Sequence, residues 1–118
     1  MRELNIGSKN YTIVNAIDEK GIGNANHEYS IVEANIEIPE VYVKVKFQNG
    51  AIKESGVNGC QNEDLIAIVI DRLKGFQSGD FSCVDNEMAL IKLEESLMCL
   101  RKRTQDRVNR GVECLSVK

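Results

Sequence analysis

The chain contains no tryptophan, one proline, one histidine, and only three phenylalanines and three tyrosines. A solitary His27 cannot build a Ser-His or Cys-His nucleophilic pair by any local pattern around it. Cys60, Cys83, Cys99 and Cys114 are scattered, without a C-x-x-C pair, and His27 is remote from all of them. That spacing excludes a zinc finger or ribbon and reads as four free thiols in a reducing compartment. No metal and no cofactor are expected. Apolar runs approaching the roughly 18 residues that cross a bilayer are also missing. The start, Met1-Arg2-Glu3-Leu4-Asn5, has no apolar signal core, so the chain reads as intracellular. Neither G-x-x-x-x-G-K-[ST] nor G-x-G-x-x-G occurs, which removes the two common phosphate-loop classes. An excess of positive charge is lacking too: 15 Lys+Arg against 18 Asp+Glu give a net charge of -3. A general nucleic-acid binder would be basic overall.

What is present is an ordinary globular mixture, 42% hydrophobic and 28% charged over 118 residues. This length suits one domain. The expected organisation is a single domain over residues 1–118, with 1–59 as a β-sheet portion and 60–118 as a helical hairpin. In the first part Val41, Val43, Val45 and Phe47 alternate with Tyr42, Lys44, Lys46 and Gln48, the period of a strand with one buried face. Asn49-Gly50 follows as a hairpin signal, with Ala51 to Glu54 expected to return as the partner strand. Tyr11 to Ile17 and Glu28 to Ile38 are rich in β-branched residues and predict two further strands joined by a loop at Gly21-Ile22-Gly23-Asn24. Pro39 is expected in the connection before Val41. The fold class is therefore α+β, an N-terminal antiparallel meander followed by a two-helix hairpin.

The period changes after Gly56-Val57-Asn58-Gly59. Asn62 is the expected N-cap, with Glu63 and Asp64 in the first turn. Leu65, Val69, Leu73 and Phe76 share one face of the first helix, and Gly79 stops it. Ser82-Cys83-Val84-Asp85 resembles a capping box. From there to about Arg110 no glycine or proline intervenes. A helix of about 26 residues spans about 39 Å, more than a domain of this size needs, so part of it is expected to pack on another chain.

Along that helix Asn86, Leu90, Leu93, Leu97, Leu100, Thr104 and Arg107 form a heptad seam with an apolar middle and polar ends. Its leucines can cover the first helix and the sheet. They can also pair with a second copy, because Asn86 and Arg107 lie equidistant from a point between Ser96 and Leu97. Antiparallel packing about that point sets Leu93 against Leu100 and brings Asn86 of one copy to Arg107 of the other, twice, as a two-fold dimer requires. Arg103, Arg107 and Arg110 share a face, with Arg101 and Lys102 nearby. Such a cluster can complement the negative helix end, and Glu94 or Glu95 can partner Arg107; alternatively the guanidinium groups hold a phosphate ligand. Phe76 ends the first helix, where it can be core or can stack on a nucleobase. Phe81 competes for that role, and the Gly56–Gly59 turn offers backbone amides. No catalytic set is visible. Three readings remain on these residues: a ligand-binding protein, a structural or interaction protein dimerising through the long helix, and an enzyme acting on a phosphorylated nucleotide.

The combination of Lys46-Phe47-Gln48-Asn49-Gly50, Gly56-Val57-Asn58-Gly59, Asp71-Arg72-Leu73, Phe76-Gln77, Ala89-Leu90, Leu93-Glu94-Glu95, Arg103-Thr104, Arg107 and Arg110-Gly111-Val112-Glu113 resembles the phage anti-Thoeris signal-sponge family. The helical hairpin of that family is shared with phage anti-CBASS sponges for cyclic dinucleotides. The resemblance runs from about Val41 to Glu113; Cys114 departs from the glycine that relatives often carry. It implies a non-enzymatic phage or prophage protein in the cytoplasm of the bacterial host. Such a protein binds and sequesters a cyclic ADP-ribose isomer made by bacterial TIR-domain enzymes, and so blocks Thoeris immunity. It implies dimers, often hexamers, and in some members separate sites for cyclic di- or trinucleotides. The family holds its signal between two protomers with an aromatic, an asparagine and two arginines. The matching positions here are Phe76, Asn86, Arg103 and Arg107.

Overall fold

The computed structural model describes residues 1–8 and 10–111. The chain divides after Cys60 into two compact units. The first is a four-stranded antiparallel sheet in sequence order: β1 (Arg2–Glu3), β2 (Thr12–Ala16), β3 (Glu28–Glu33) and β4 (Val41–Lys46). This is the expected meander, and Pro39 lies in the connection before β4. The register pairs Val14 with Ile31 and Ile31 with Val43, and Ala16 with Tyr29 and Tyr29 with Val45. Because directly paired residues share a face, these six side chains make one apolar surface. Ala16 is completely buried in it, and the Tyr29 ring meets Phe47 edge-on at 5.7 Å.

Two expectations about strands are corrected. The strand expected over Glu28 to Ile38 stops at Glu33, with a register shift between Ile31 and Val32. Asn35 then takes positive φ (61°), which a strand does not accommodate, and Ile38 is 90% exposed. The return strand expected at Ala51 to Glu54 is instead a single helical turn, α1 (Ile52–Ser55). Gly50 does turn the chain (φ 88°), but Lys53-Glu54-Ser55 supplies no β-branched face to pair with β4. The ladder closes further along: Gln48 N–H donates to Cys60 O at 2.9 Å, and Cys60 N–H to Lys46 O at 2.8 Å. Across the intervening loop, the Gln48 amide donates to the carbonyls of Gly50 (3.0 Å) and Gly56 (2.8 Å).

The β2–β3 connection contains a short 3-10 turn at Ile22–Asn24 where a loop was expected. Its base is tied by Asp18, whose carboxylate accepts the backbone N–H of His27 (3.0 Å) and of Glu28 (3.1 Å). Desolvation pushes this carboxyl up, but the bonds from His27, Glu28 and the Asn26 side chain outweigh it and hold Asp18 below the ordinary carboxylate value. A depressed folded value means the contribution is present above the unfolded value of 3.8 and is lost as pH falls through the folded one. Asp18→Asn should therefore lower the melting temperature at neutral pH, and the difference from the parent should shrink on acidification. Thermal melts across that range check it.

The second unit contains α2 (Asn62–Gln77) and α3 (Val84–Asn109). The N-cap of α2 is Gln61 rather than Asn62: Gln61 and Asp64 form a reciprocal capping box, with Gln61 N–H donating to Asp64 at 2.8 Å. The α2 helix ends at Gln77, just before Ser78-Gly79. The α3 cap is Cys83 rather than Ser82, its Sγ accepting Asn86 N–H at 3.4 Å. Packing also differs from the expected face of α2. Ile70 is its one buried residue among those described; Leu65, Ile66, Leu73, Phe76 and Gln77 are half-buried, whereas Val69 is 45% exposed. The expected face thus holds at Leu65, Leu73 and Phe76 and fails at Val69, with Ile70 in the buried position instead. No helix among the described residues is long and apolar enough to cross a membrane.

Candidate ligand-binding site

The two helices run antiparallel. Gln77 Nε2 reaches Glu87 at 3.2 Å near the connection, and Lys74 lies 4.0 Å from Glu94 one level further on. The seam of α3 is its least exposed line: Leu90 is buried, and Asn86, Leu93, Leu97, Leu100 and Arg107 are half-buried. Thr104 is exposed and donates its hydroxyl back to Leu100 O at 3.2 Å. The 16 residues of α2 span about 24 Å and the 26 of α3 about 39 Å, so α3 is longer by about 15 Å.

Two clusters of candidate residues sit at opposite ends of α3. At the closed end Phe76 is half-buried. Its ring meets Phe81 edge-on at 6.2 Å, and the Arg72 guanidinium carbon stands 4.9 Å from its centroid. Asn86 belongs to the same end, its side-chain amide donating to Phe81 O at 3.4 Å. Phe76 is thus held by Arg72 over one face and by a perpendicular contact with Phe81, which fixes the ring without extra ordering cost. Phe81 is 75% exposed and completes the rim. Arg72 figured in the sequence only within the motif Asp71-Arg72-Leu73, with no site role; its i,i+4 spacing to Phe76 was the available signal.

At the other end Arg103, Arg107 and Arg110 line an open depression of about 330 Å³ with Cys99, Lys102 and Asp106. Asp106 pairs with Lys102 at 3.0 Å, which leaves the depression a net cationic lining. Glu94 and Glu95 lie 12 to 13 residues before Arg107, about 18–20 Å along the helix, so neither can be its partner within the chain. Val112, Glu113 and Cys114 lie outside the described residues.

The structure therefore brings Phe76 near Asn86, and Arg103 near Arg107, but not the two pairs together. Seventeen residues separate Asn86 from Arg103, about 26 Å of helix. An aromatic ring with an amide stands at one end, and a cationic surface at the other.

Comparison with known proteins meets this geometry. A family model described as the Acb2/Tad1 hairpin domain matches residues 39–105, more than half of the chain. The match contains the Gln48–Cys60 loop, Phe76, Asn86 and Arg103, and ends two residues before Arg107. A curated relative, Thoeris anti-defense 1 of Bacillus phage SBSphiJ7, is 58% identical over 69 residues, which are 58% of this chain and 49% of that protein. The chain thus spans about half the length of that relative. With the helical hairpin, the loop before it and three of the four candidate residues inside the matched region, the chain belongs to the Acb2/Tad1 hairpin family.

Proposed function

We propose that this chain is a phage counter-defence protein that sequesters a cyclic ADP-ribose isomer between two copies of itself, without catalysis, in the bacterial cytoplasm. The observation that carries the reading is the division of the candidate site into halves at opposite ends of α3. Asn86 and Arg107 are equidistant from the point between Ser96 and Leu97. When two α3 helices pack antiparallel about it, each closed end, with Phe76 and Asn86, meets the partner's Arg103 and Arg107. One aromatic face, one amide and two guanidinium groups then suit a nucleotide carrying adenine, ribose and pyrophosphate.

The physical requirement on a sponge is tight binding and slow release. A Kd of 1 nM corresponds to about -12.3 kcal/mol. Charge-assisted contacts to a pyrophosphate together with base stacking, enclosed between two chains, are of the kind that reach this range. The part of α3 beyond α2 supports self-association, as does a second line on α3 (Val84, Met88, Ile91 and Met98, interrupted by Glu95), its apolar residues each at least 41% exposed. That second line suits growth from dimers to hexamers. It is also the observation favouring the alternative reading, a structural or interaction protein that binds no small molecule.

Incubation of the purified protein with the signal, removal of unbound ligand and heating decides among the readings. A sponge depletes the solution and releases the ligand intact. Altered product would indicate an enzyme, and an undepleted solution would indicate an interaction protein. Cyclic di- and trinucleotides form parallel arms of the same assay. Retained binding of these in the presence of saturating cyclic ADP-ribose isomer identifies separate sites.

A further inference from the structure

Asn-Gly occurs twice, at Asn49-Gly50 and Asn58-Gly59, both in the loop after β4. Glycine presents a backbone nitrogen unshielded by a side chain, so the preceding asparagine carboxamide can be attacked by it. The two asparagines are held very differently. The Asn58 carboxamide is engaged at both ends: Oδ1 accepts Asn49 N–H at 2.8 Å, and Nδ2 donates to Asn49 O at 2.8 Å. Gly59 is packed so tightly that a Cβ on it would overlap the Phe47 carbonyl group and lie 2.6 Å from Lys46 O. Asn58 therefore cannot swing toward the Gly59 nitrogen without breaking both bonds and pushing against that backbone.

Asn49 contributes only its main chain to the pair. Its side chain is exposed, and among the described residues neither its carboxamide nor the Gly50 N–H has a hydrogen-bond partner. We propose that Asn49 is a site of spontaneous modification, while Asn58 is protected by its clasp. The Gly50 nitrogen attacks Asn49 Cγ, forming the ring bond of a succinimide. The Cγ–Nδ2 bond breaks, and Nδ2 leaves as ammonia with the proton that Gly50 nitrogen gives up. Water then opens the ring at either carbonyl, giving aspartate or isoaspartate, with no change of oxidation state. Isoaspartate inserts Cβ into the main chain and displaces the Asn49 carbonyl that Asn58 holds. The neighbouring bonds, Asn58 N–H to Gln48 Oε1 at 3.0 Å and Gln48 Nε2 to the Gly50 and Gly56 carbonyls, lose their alignment with it. Ageing of this protein starts in that loop.

The test is incubation of the full chain in warm, mildly alkaline buffer, followed by tryptic mapping with fragmentation that separates aspartate from isoaspartate. Cleavage after Lys46 and Lys53 puts Asn49 and Asn58 on different peptides. Two hydrogen bonds of ordinary net strength protecting Asn58 set an expected rate ratio of about 30-fold in favour of Asn49. Asn49→Gln, which keeps both main-chain groups, should remove the modification from the first peptide. Gln48→Ala leaves both bonds of the clasp in place but removes the neighbouring bonds that hold Gly50, Gly56 and the Asn58 main chain beside it, so it should loosen the clasp and raise the Asn58 rate. Equal rates in the parent chain, an unmodified Asn49 after prolonged incubation, or an Asn58 rate indifferent to Gln48→Ala in a folded protein would overturn the proposal.

Discussion

Replacing Arg103 and Arg107 together by alanine should reduce affinity for a cyclic ADP-ribose isomer by roughly 10²- to 10⁴-fold while leaving the hairpin folded. Each charge-assisted phosphate bond contributes about 1.5–3 kcal/mol, and about 1.4 kcal/mol is a factor of ten. The fold should survive because Arg103 is exposed, Arg107 is half-buried near the end of α3, and alanine is the best helix former. Lys102→Ala is the matched control. Its ammonium already engages Asp106 at 3.0 Å on an exposed surface, so its loss should change affinity only a few-fold. Calorimetric titration gives the affinities, and circular dichroism shows that the helices persist. Unchanged affinity in the double variant would place the anion site elsewhere on the chain.

The parts of this molecule that were legible in sequence are those set by local chemistry. The uninterrupted run after Cys83 gave a helix of the expected length, Val84–Asn109, because nothing in it breaks a helix. The alternation at Val41–Lys46 gave β4 for the same kind of reason. What was misread depends on partners. On α2 two apolar lines compete, and both contain Leu73. The line through Leu65, Val69 and Phe76 looks better than the line through Ile66, Ile70 and Gln77, which ends in an amide. The second holds the one fully buried position, Ile70, and its amide end is accommodated because Gln77 bonds to Cys83 and Glu87 at the start of α3. At Asn49-Gly50 the turn was legible and its continuation was not. Closure of the ladder by Cys60, ten residues past the turn, has no local signature.

The candidate site divides along the same line. Positions along α3 follow from the helical rise, so the distance between Asn86 and the arginines could be read directly. The neighbours of Phe76 were only partly visible. Arg72 sits one turn before it in sequence, but the edge-on approach of Phe81 depends on how the chain turns between the helices. A site whose halves are about 26 Å apart in one chain has no complete image in that chain's sequence or fold. Its symmetry about Ser96 and Leu97 is the trace that remains.

That symmetry yields the most discriminating expectation. A Phe76→Ala/Asn86→Ala chain and an Arg103→Ala/Arg107→Ala chain should each fail to bind the signal alone, and mixing them should restore binding. In an antiparallel dimer each site takes Phe76 and Asn86 from one copy and both arginines from the other. A mixed dimer therefore carries one intact site and one with all four residues replaced. Random exchange makes about half of the dimers mixed, each with one working site of two, so roughly one quarter of the parental capacity should return. The restored sites should have parental affinity, because their four side chains are unaltered. Leu93→Asp in both chains places a charge in the seam and should abolish the restoration along with the assembly. Titration of the mixture after exchange reads capacity and affinity separately. A site built within one chain predicts no recovery at all, since every chain in the mixture is then defective.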